Sequence, residues 1–224
     1  MTAWRAGVRR GALAGLSTFL TLVLAGPVYA GAGRFSTADA PPTDKIVADV
    51  VSVNGSGCPA GTATVTVLED HTAFRVTYHD FIAVAGGGSQ PTDLRKNCQL
   101  GLLIHVPQGF TFAIASADYR GRARLAAGAT GLQRTNYYFQ GSPDDTFVDH
   151  PLAGPLRAVW HTTDVTPVAQ LVFAPCGVFR NLNINTELRV TAGTVAPGVV
   201  SSMSMRSTDG DIDTIFHFSW KTCP

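Results

Sequence analysis

The sequence predicts an all-β protein: an antiparallel β-sandwich or jelly-roll-like single domain with two disulfides. Three observations carry that expectation. Short alternations of apolar and polar residues recur every 8–15 residues, separated by Gly, Pro, Asn and Asp. No amphipathic run exceeds two helical turns, and the 224 residues include only three Lys and two Glu, residues that solvate long helices. Four cysteines, Cys58, Cys98, Cys176 and Cys223, follow an N-terminal export signal.

Residues 1–30 read as a signal peptide. Arg5, Arg9 and Arg10 precede an apolar stretch over 11–24, and Val28-Tyr29-Ala30 offers the small residues at which such signals are cut. The stretch is too short and interrupted to favour a membrane span. Removing 30 of 224 residues leaves 194, a length that suits one β domain over 45–224 preceded by a flexible leader over 31–44. The mature chain holds 14 of the 17 basic residues against 16 acidic ones. That balance argues against general nucleic-acid binding. The expectation is a secreted protein without a membrane span or cofactor.

The strands follow in order. Residues 45–53 alternate weakly and read as an edge strand, ended by the turn and glycosylation sequon Asn54-Gly55-Ser56. Residues 62–68 are β-branched, 69–72 turn, and Phe74, Val76 and Tyr78 line one face of the next strand. Residues 85–92 form a Gly-rich loop without the Gly-Lys-Ser/Thr of a phosphate loop. Leu100, Leu102, Ile104 and Val106, then Pro107-Gln108-Gly109, then Phe110, Phe112 and Ile114 read as a central hairpin that organises the sheet. Its second strand places Thr111, Ala113, Ala115 and Ala117 on the opposite face. Residues 119–125 and 133–140 read as another strand pair, 142–155 as a long polar connection, and 156–165 and 169–173 as short strands. In 181–190, Leu182, Ile184, Thr186, Leu188 and Val190 alternate with polar residues. Met203 and Met205 belong to a further strand, and Asp209-Gly210 signals a hairpin into the last one, 212–221.

An even cysteine count in an exported chain implies two disulfides, with three possible pairings. Cys58–Cys98 with Cys176–Cys223 is favoured because each bridge stays within its own half of the chain. Each closes a loop of forty-odd residues, worth about 4 kcal/mol on a chain-entropy basis. A zinc site fails on spacing: there is no C-x-x-C, and no His lies within four residues of a cysteine.

Candidate chemistry is sparse. There is no G-x-S-x-G elbow and no H-E-x-x-H, and His71, His79, His105, His150, His161 and His217 are scattered singly. A glycosidase pair would have to come from Asp80, Asp118, Asp149 and Glu187, with Glu187 as the acid. Asp209, Asp211 and Asp213 alternate like half of a calcium loop, but Gly210 and Trp220 fall where an EF-hand needs other residues. Metal binding is therefore not expected, with calcium at those aspartates as the weak alternative. Arg120, Arg122 and Arg124 share one strand face, suited to an acidic glycan, a phosphate or neighbouring acids. Asn181, Asn183, Asn185, Glu187 and Arg189 form a polar row that, flanked by Tyr137 or Tyr138, suits sugar hydroxyls.

Six stretches, VNGSGCP (53–59), RKNCQL (95–100), VPQGFTFAIAS (106–116), YYFQG (137–141), NLNINTELRV (181–190) and STDG (207–210), resemble a family of exported bacterial and fungal proteins, the domain of unknown function DUF4360. The resemblance spans residues 46 to 223. It implies secretion and a disulfide-bonded β domain, and it brings no catalytic residues with it. The functional expectation is a non-catalytic extracellular module whose partner is a ligand such as a glycan. The alternatives are a secreted hydrolase of polysaccharide or wall polymer, and a structural or partner-binding envelope protein.

Overall fold

A computed structural model describes residues 38–142, 147–196, 198–208 and 210–224; the expected signal peptide and residues 31–37 of the leader lie outside them. Twelve strands are present among the described residues: β1 (Val47–Asn54), β2 (Ala63–Val67), β3 (Ala73–Tyr78), β4 (Ile82–Ala85), β5 (Arg95–His105), β6 (Phe110–Leu125), β7 (Thr130–Phe139), β8 (Val148–Ala153), β9 (Leu156–Val165), β10 (Asn181–Thr191), β11 (Ser201–Ser204) and β12 (Thr214–Thr222). One sheet has the order β1-β5-β10-β7-β8. The other runs β2-β3-β12-β6-β11-β4, with β9 also paired to β6. Every ladder between these strands is antiparallel. The fold is the expected all-β sandwich.

Inward-facing apolar residues of both sheets form one core, which includes Leu100, Leu102, Leu182, Ile184 and Leu188 from the first sheet. From the second come Phe74, Phe112, Phe216, Phe218 and Trp220. Phe74 stacks on Phe216 at 5.0 Å, and Phe112 meets Phe218 edge-on at 5.3 Å. Such offset and edge contacts suit the aromatic quadrupole. Cys58–Cys98 and Cys176–Cys223 are the two bridges.

The expected central hairpin does not form. β5 pairs with β1 and β10 in one sheet, while β6 pairs with β12, β11 and β9 in the other. Residues 107–109 therefore arch across the core. An alternating strand reports which face is buried, and that face is satisfied equally by a partner alongside or a sheet opposite. For the same reason β6 and β7 are not the expected pair. β11 and β12 lie end to end along one edge of β6 instead of forming a hairpin, and Asp209 of the expected turn lies outside the described residues.

A bulge in β6 decides its outer face. His217 opposes Ser116 but Phe218 opposes Ile114, so Ala115 is supernumerary and the alternation changes phase. Phe112 and Ile114 point inward before it, and Ala117, Tyr119, Ala123 and Leu125 after it, correcting the expected outward Ala117. Without that extra residue, Arg120, Arg122 and Arg124 would point into the core.

Three further expectations change. Residues 142–155 contain β8, an edge strand that tolerates Pro151 because one side of its ladder is unpaired. Residues 82–85 form β4, while 169–173 form no strand and include part of a short 3-10 turn, Val168–Gln170. The leader is tied down over 38–44. Asp39 bridges to Trp220 and accepts from the Thr222 amide at 2.7 Å, and Pro42 is buried.

Candidate functional site

β10 is the middle strand of the five-stranded sheet, so its outward residues sit in rows with those of β5 and β7. Asn185 stands directly opposite Gln99 on β5 and Asn136 on β7, giving three amides side by side. In the next row Asn183 stands opposite Tyr138 and Gly101. Asn181, Asn183 and Asn185 are half-buried. The rows are held by ladders on both sides, so Gln99 and Asn185 are presented side by side at the strand spacing of about 4.8 Å, while Asn136 is buried.

On the other side of the Asn185 row, Glu187 is opposite Asn97 and Arg134. Arg95 Nε donates to Glu187 Oε2 at 2.6 Å and Arg189 Nη2 to Oε1 at 2.7 Å. Arg134 makes a two-pronged contact with Asp149 on β8, 2.6 Å at each oxygen. Burial alone would raise the Glu187 carboxyl, but the guanidiniums of Arg95 and Arg189 outweigh it and hold it below the ordinary range. The Arg134 bond holds Asp149 low in the same way. Both acids are structural anions within an arginine lattice, and Arg189 is consumed in it.

At the end of this sheet a cleft of about 660 Å³ opens between the two layers. Tyr137, Tyr138, Phe139, Ile114 and Leu182 line it from the strands, and the segment from Val165 to Val172 forms a wall that includes Thr166 and Gln170. Tyr137 and Thr166 share a hydroxyl hydrogen bond of 3.3 Å. Burial raises the Tyr137 phenol, which stays protonated at neutral pH. Tyr138 belongs to both features: it stands in the Asn183 row and lines the cleft.

The other sequence candidates lie elsewhere. Arg120, Arg122 and Arg124 are exposed on the outer face of the seven-stranded sheet, the opposite side of the sandwich. Asp118 is on that face too, so it cannot act with Glu187. Asp80 is exposed in a turn after β3. Asp211 is bound by Arg122 and Asp213 by Arg75; no group of three His, Cys, Asp or Glu side chains is placed to hold a metal ion among the described residues, where Asp209 is not included.

Sequence reading missed a polar cluster between the sheets. Tyr119 donates to Asp164 at 2.8 Å, and His150 lies 2.6 Å from the other Asp164 oxygen. Gln133 donates to Thr135 nearby. Burial, then the Asp164 charge, pushes the Tyr119 phenol well above its ordinary value. Tyr119, His150 and Asp164 are too far apart in sequence for spacing to link them.

Residues 44–223 match the family described as Domain of unknown function (DUF4360). The chain belongs to this family. It is also similar to an uncharacterized secreted protein of Arthroderma benhamiae, 34% identical over 186 residues that cover 83% of this chain and 75% of that one. Among solved structures, the enzymatically active domain of bacteriophage CBA120 tailspike protein 4 is similar over 77% of this chain, at 12% identity and a TM-score of 0.25. This chain spans 19% of that one, and so slight a likeness carries no argument. This DUF4360 protein is a secreted, disulfide-bonded β domain, and the name of its fungal relative says that it too is secreted. No helix among the described residues is long and apolar enough to cross a membrane. Three of the stretches that carry the DUF4360 resemblance, 95–100, 137–141 and 181–190, contribute to the adjacent strands β5, β7 and β10.

Proposed function

We propose that this protein is a secreted, non-catalytic module that binds a neutral polysaccharide across the outer face of β5, β10 and β7, with one sugar unit at Tyr138 and the mouth of the cleft. The observation that carries this reading is the adjacent amides of Gln99 and Asn185, exposed and half-buried, beside the Asn183–Tyr138 row; Asn136, in register with them, is buried. A planar amide offers a donor and an acceptor side by side, the pattern that vicinal sugar hydroxyls match. The tyrosine ring supplies an apolar face for the C–H side of a sugar ring. Paired strands fix both, which lowers the ordering cost of binding.

Catalysis by the carboxylates is not supported. Glycoside hydrolysis needs a carboxyl that is protonated at working pH, and Glu187 and Asp149 are both held as anions by arginine.

The test is sedimentation of the oxidised protein with insoluble cellulose, chitin and xylan, and affinity electrophoresis in soluble β-glucans. Retention by one of these, lowered at least about tenfold in affinity by Tyr138→Ala and by Asn183→Ala with Asn185→Ala, is the expected result. Retention by none, or retention unchanged in those variants, overturns the reading.

A further inference from the structure

The outer face of the seven-stranded sheet carries a second cluster that neutral-sugar binding does not use. Asp118 on β6 is its centre. Thr163 donates to Asp118 Oδ1 at 2.6 Å, His217 Nε2 lies 2.8 Å from Oδ2, and His161 Nε2 lies 3.5 Å from Oδ1. His161 stands directly opposite Arg120 in the β6–β9 ladder. Arg75, Asp118, Arg120, His161, Asp213 and Ile215 together line a hollow of about 520 Å³.

Along the whole face cations outnumber anions: Arg75, Arg120, Arg122, Arg124 and Arg157 against Asp118, Asp211 and Asp213. Arg75 is paired with Asp213 and Arg122 with Asp211, but Arg120, Arg124 and Arg157 form no ion pair among the described residues. Arg124 stands directly opposite Arg157. Like charges in direct cross-strand register destabilise a sheet unless counter-charge arrives from outside. Arg120, Arg122 and Arg124 repeat every second residue, at about 7 Å. The row therefore presents cationic heads at intervals along a line that starts in the hollow.

The two imidazoles add a control. Facing them are Asp118 and Arg120 on β6, Asp213 ahead of β12 and Arg75 on β3; β9 brings only the neutral Thr163 besides His161 itself. Arg75 and Arg120 balance Asp118 and Asp213 while both imidazoles are neutral. Each imidazole that takes a proton adds a positive charge beside Arg120 while the aspartate stays ionised.

We propose that this face is a binding site for the sulfate or carboxylate groups of an acidic polysaccharide, seated at Arg120 and along Arg122 and Arg124, and that it holds them more tightly in acid than in mild alkali. The site lies on the opposite side of the sandwich from the amide ladder, so it stands or falls independently of the neutral-sugar reading.

The experiment is affinity electrophoresis of the oxidised protein in dextran sulfate, polygalacturonate and unsubstituted dextran, at pH 5 and pH 8 and constant ionic strength. Dextran sulfate, polygalacturonate or both are expected to retard the protein, roughly tenfold more strongly at pH 5, across the interval in which imidazoles as a class gain charge. Which polymer works identifies the anionic group. Arg120→Gln, an exposed side chain with no partner to orphan, is expected to weaken binding at both pH values. His161→Gln with His217→Gln is expected to remove the pH difference and leave the pH 8 affinity in place. Equal retardation by plain dextran, no retardation by either anionic polymer, or a pH difference that survives the double substitution overturns the proposal.

Discussion

Arg95 Nε donates to Glu187 Oε2 at 2.6 Å between side chains 92 residues apart, joining β5 to β10 on the face where the amide ladder lies. Glu187 is 7% exposed although its strand position points outward, because Arg95 and Arg189 close over it. Removing it leaves two guanidiniums that water can still reach, while removing either arginine leaves a partly buried carboxylate underpaired. Glu187→Ala is expected to lower unfolding free energy by about 1–3 kcal/mol in urea titrations.

The same pair sets an acid limit. Glu187 and Asp118 are held below their ordinary values of 4.5 and 3.8; in each, burial pulls upward and partners outweigh it, the arginines for Glu187 and Thr163 with His217 for Asp118. A group whose folded pKa is depressed contributes stability that is present above its unfolded pKa and is lost as pH falls through the folded pKa. Urea midpoints are therefore expected to show no loss from these two groups between pH 7 and pH 5. They are then expected to fall progressively below about pH 4, with the fall reduced in Glu187→Gln.

Much of the fold could be read from residue patterns, and the failures share one cause. The inward residues of β10 and of β3 were readable because alternation alone specifies a face. The hairpin at 107–109 was misread because alternation does not name a partner, and β5 and β6 bury their faces toward each other from different sheets. The bulge at Ala115 has no signature among small residues, yet it sets which way Arg120, Arg122 and Arg124 point. The amide row was half visible: Asn183 and Asn185 stood out, whereas Gln99 and Asn136 join them only through register. Glu187 read as a free acid because its arginine lids come from other strand positions.

The two disulfides differ in access. Cys58 and Cys98 are buried, whereas Cys176 is exposed and Cys223 half-buried. Mild reductant under native conditions is expected to open Cys176–Cys223 first, giving two alkylated cysteines by mass spectrometry before four. Each closed loop contributes about 4 kcal/mol in the chain-entropy treatment, so a mutant lacking Cys58–Cys98 is expected to lose about that much of a margin of roughly 5–15 kcal/mol in urea titrations.

Gly121 on β6 is a packing requirement. A Cβ there would lie 2.2 Å from the Trp160 ring and 2.4 Å from the Ser204 carbonyl oxygen, so β6, β9 and β11 would have to move apart. Gly121→Ala is expected to cost about 1–3 kcal/mol by denaturant titration.

Amide NMR spectra of the isotope-labelled oxidised protein, titrated with the neutral oligosaccharide that binds best, test the central claim most directly. Saturable shifts confined to Gln99, Asn136 to Phe139, Asn181 to Asn185 and the Val165–Val172 wall are the predicted result. Shifts centred on the far side of the sandwich around Arg120, or no saturable shifts with any neutral glycan, would contradict it.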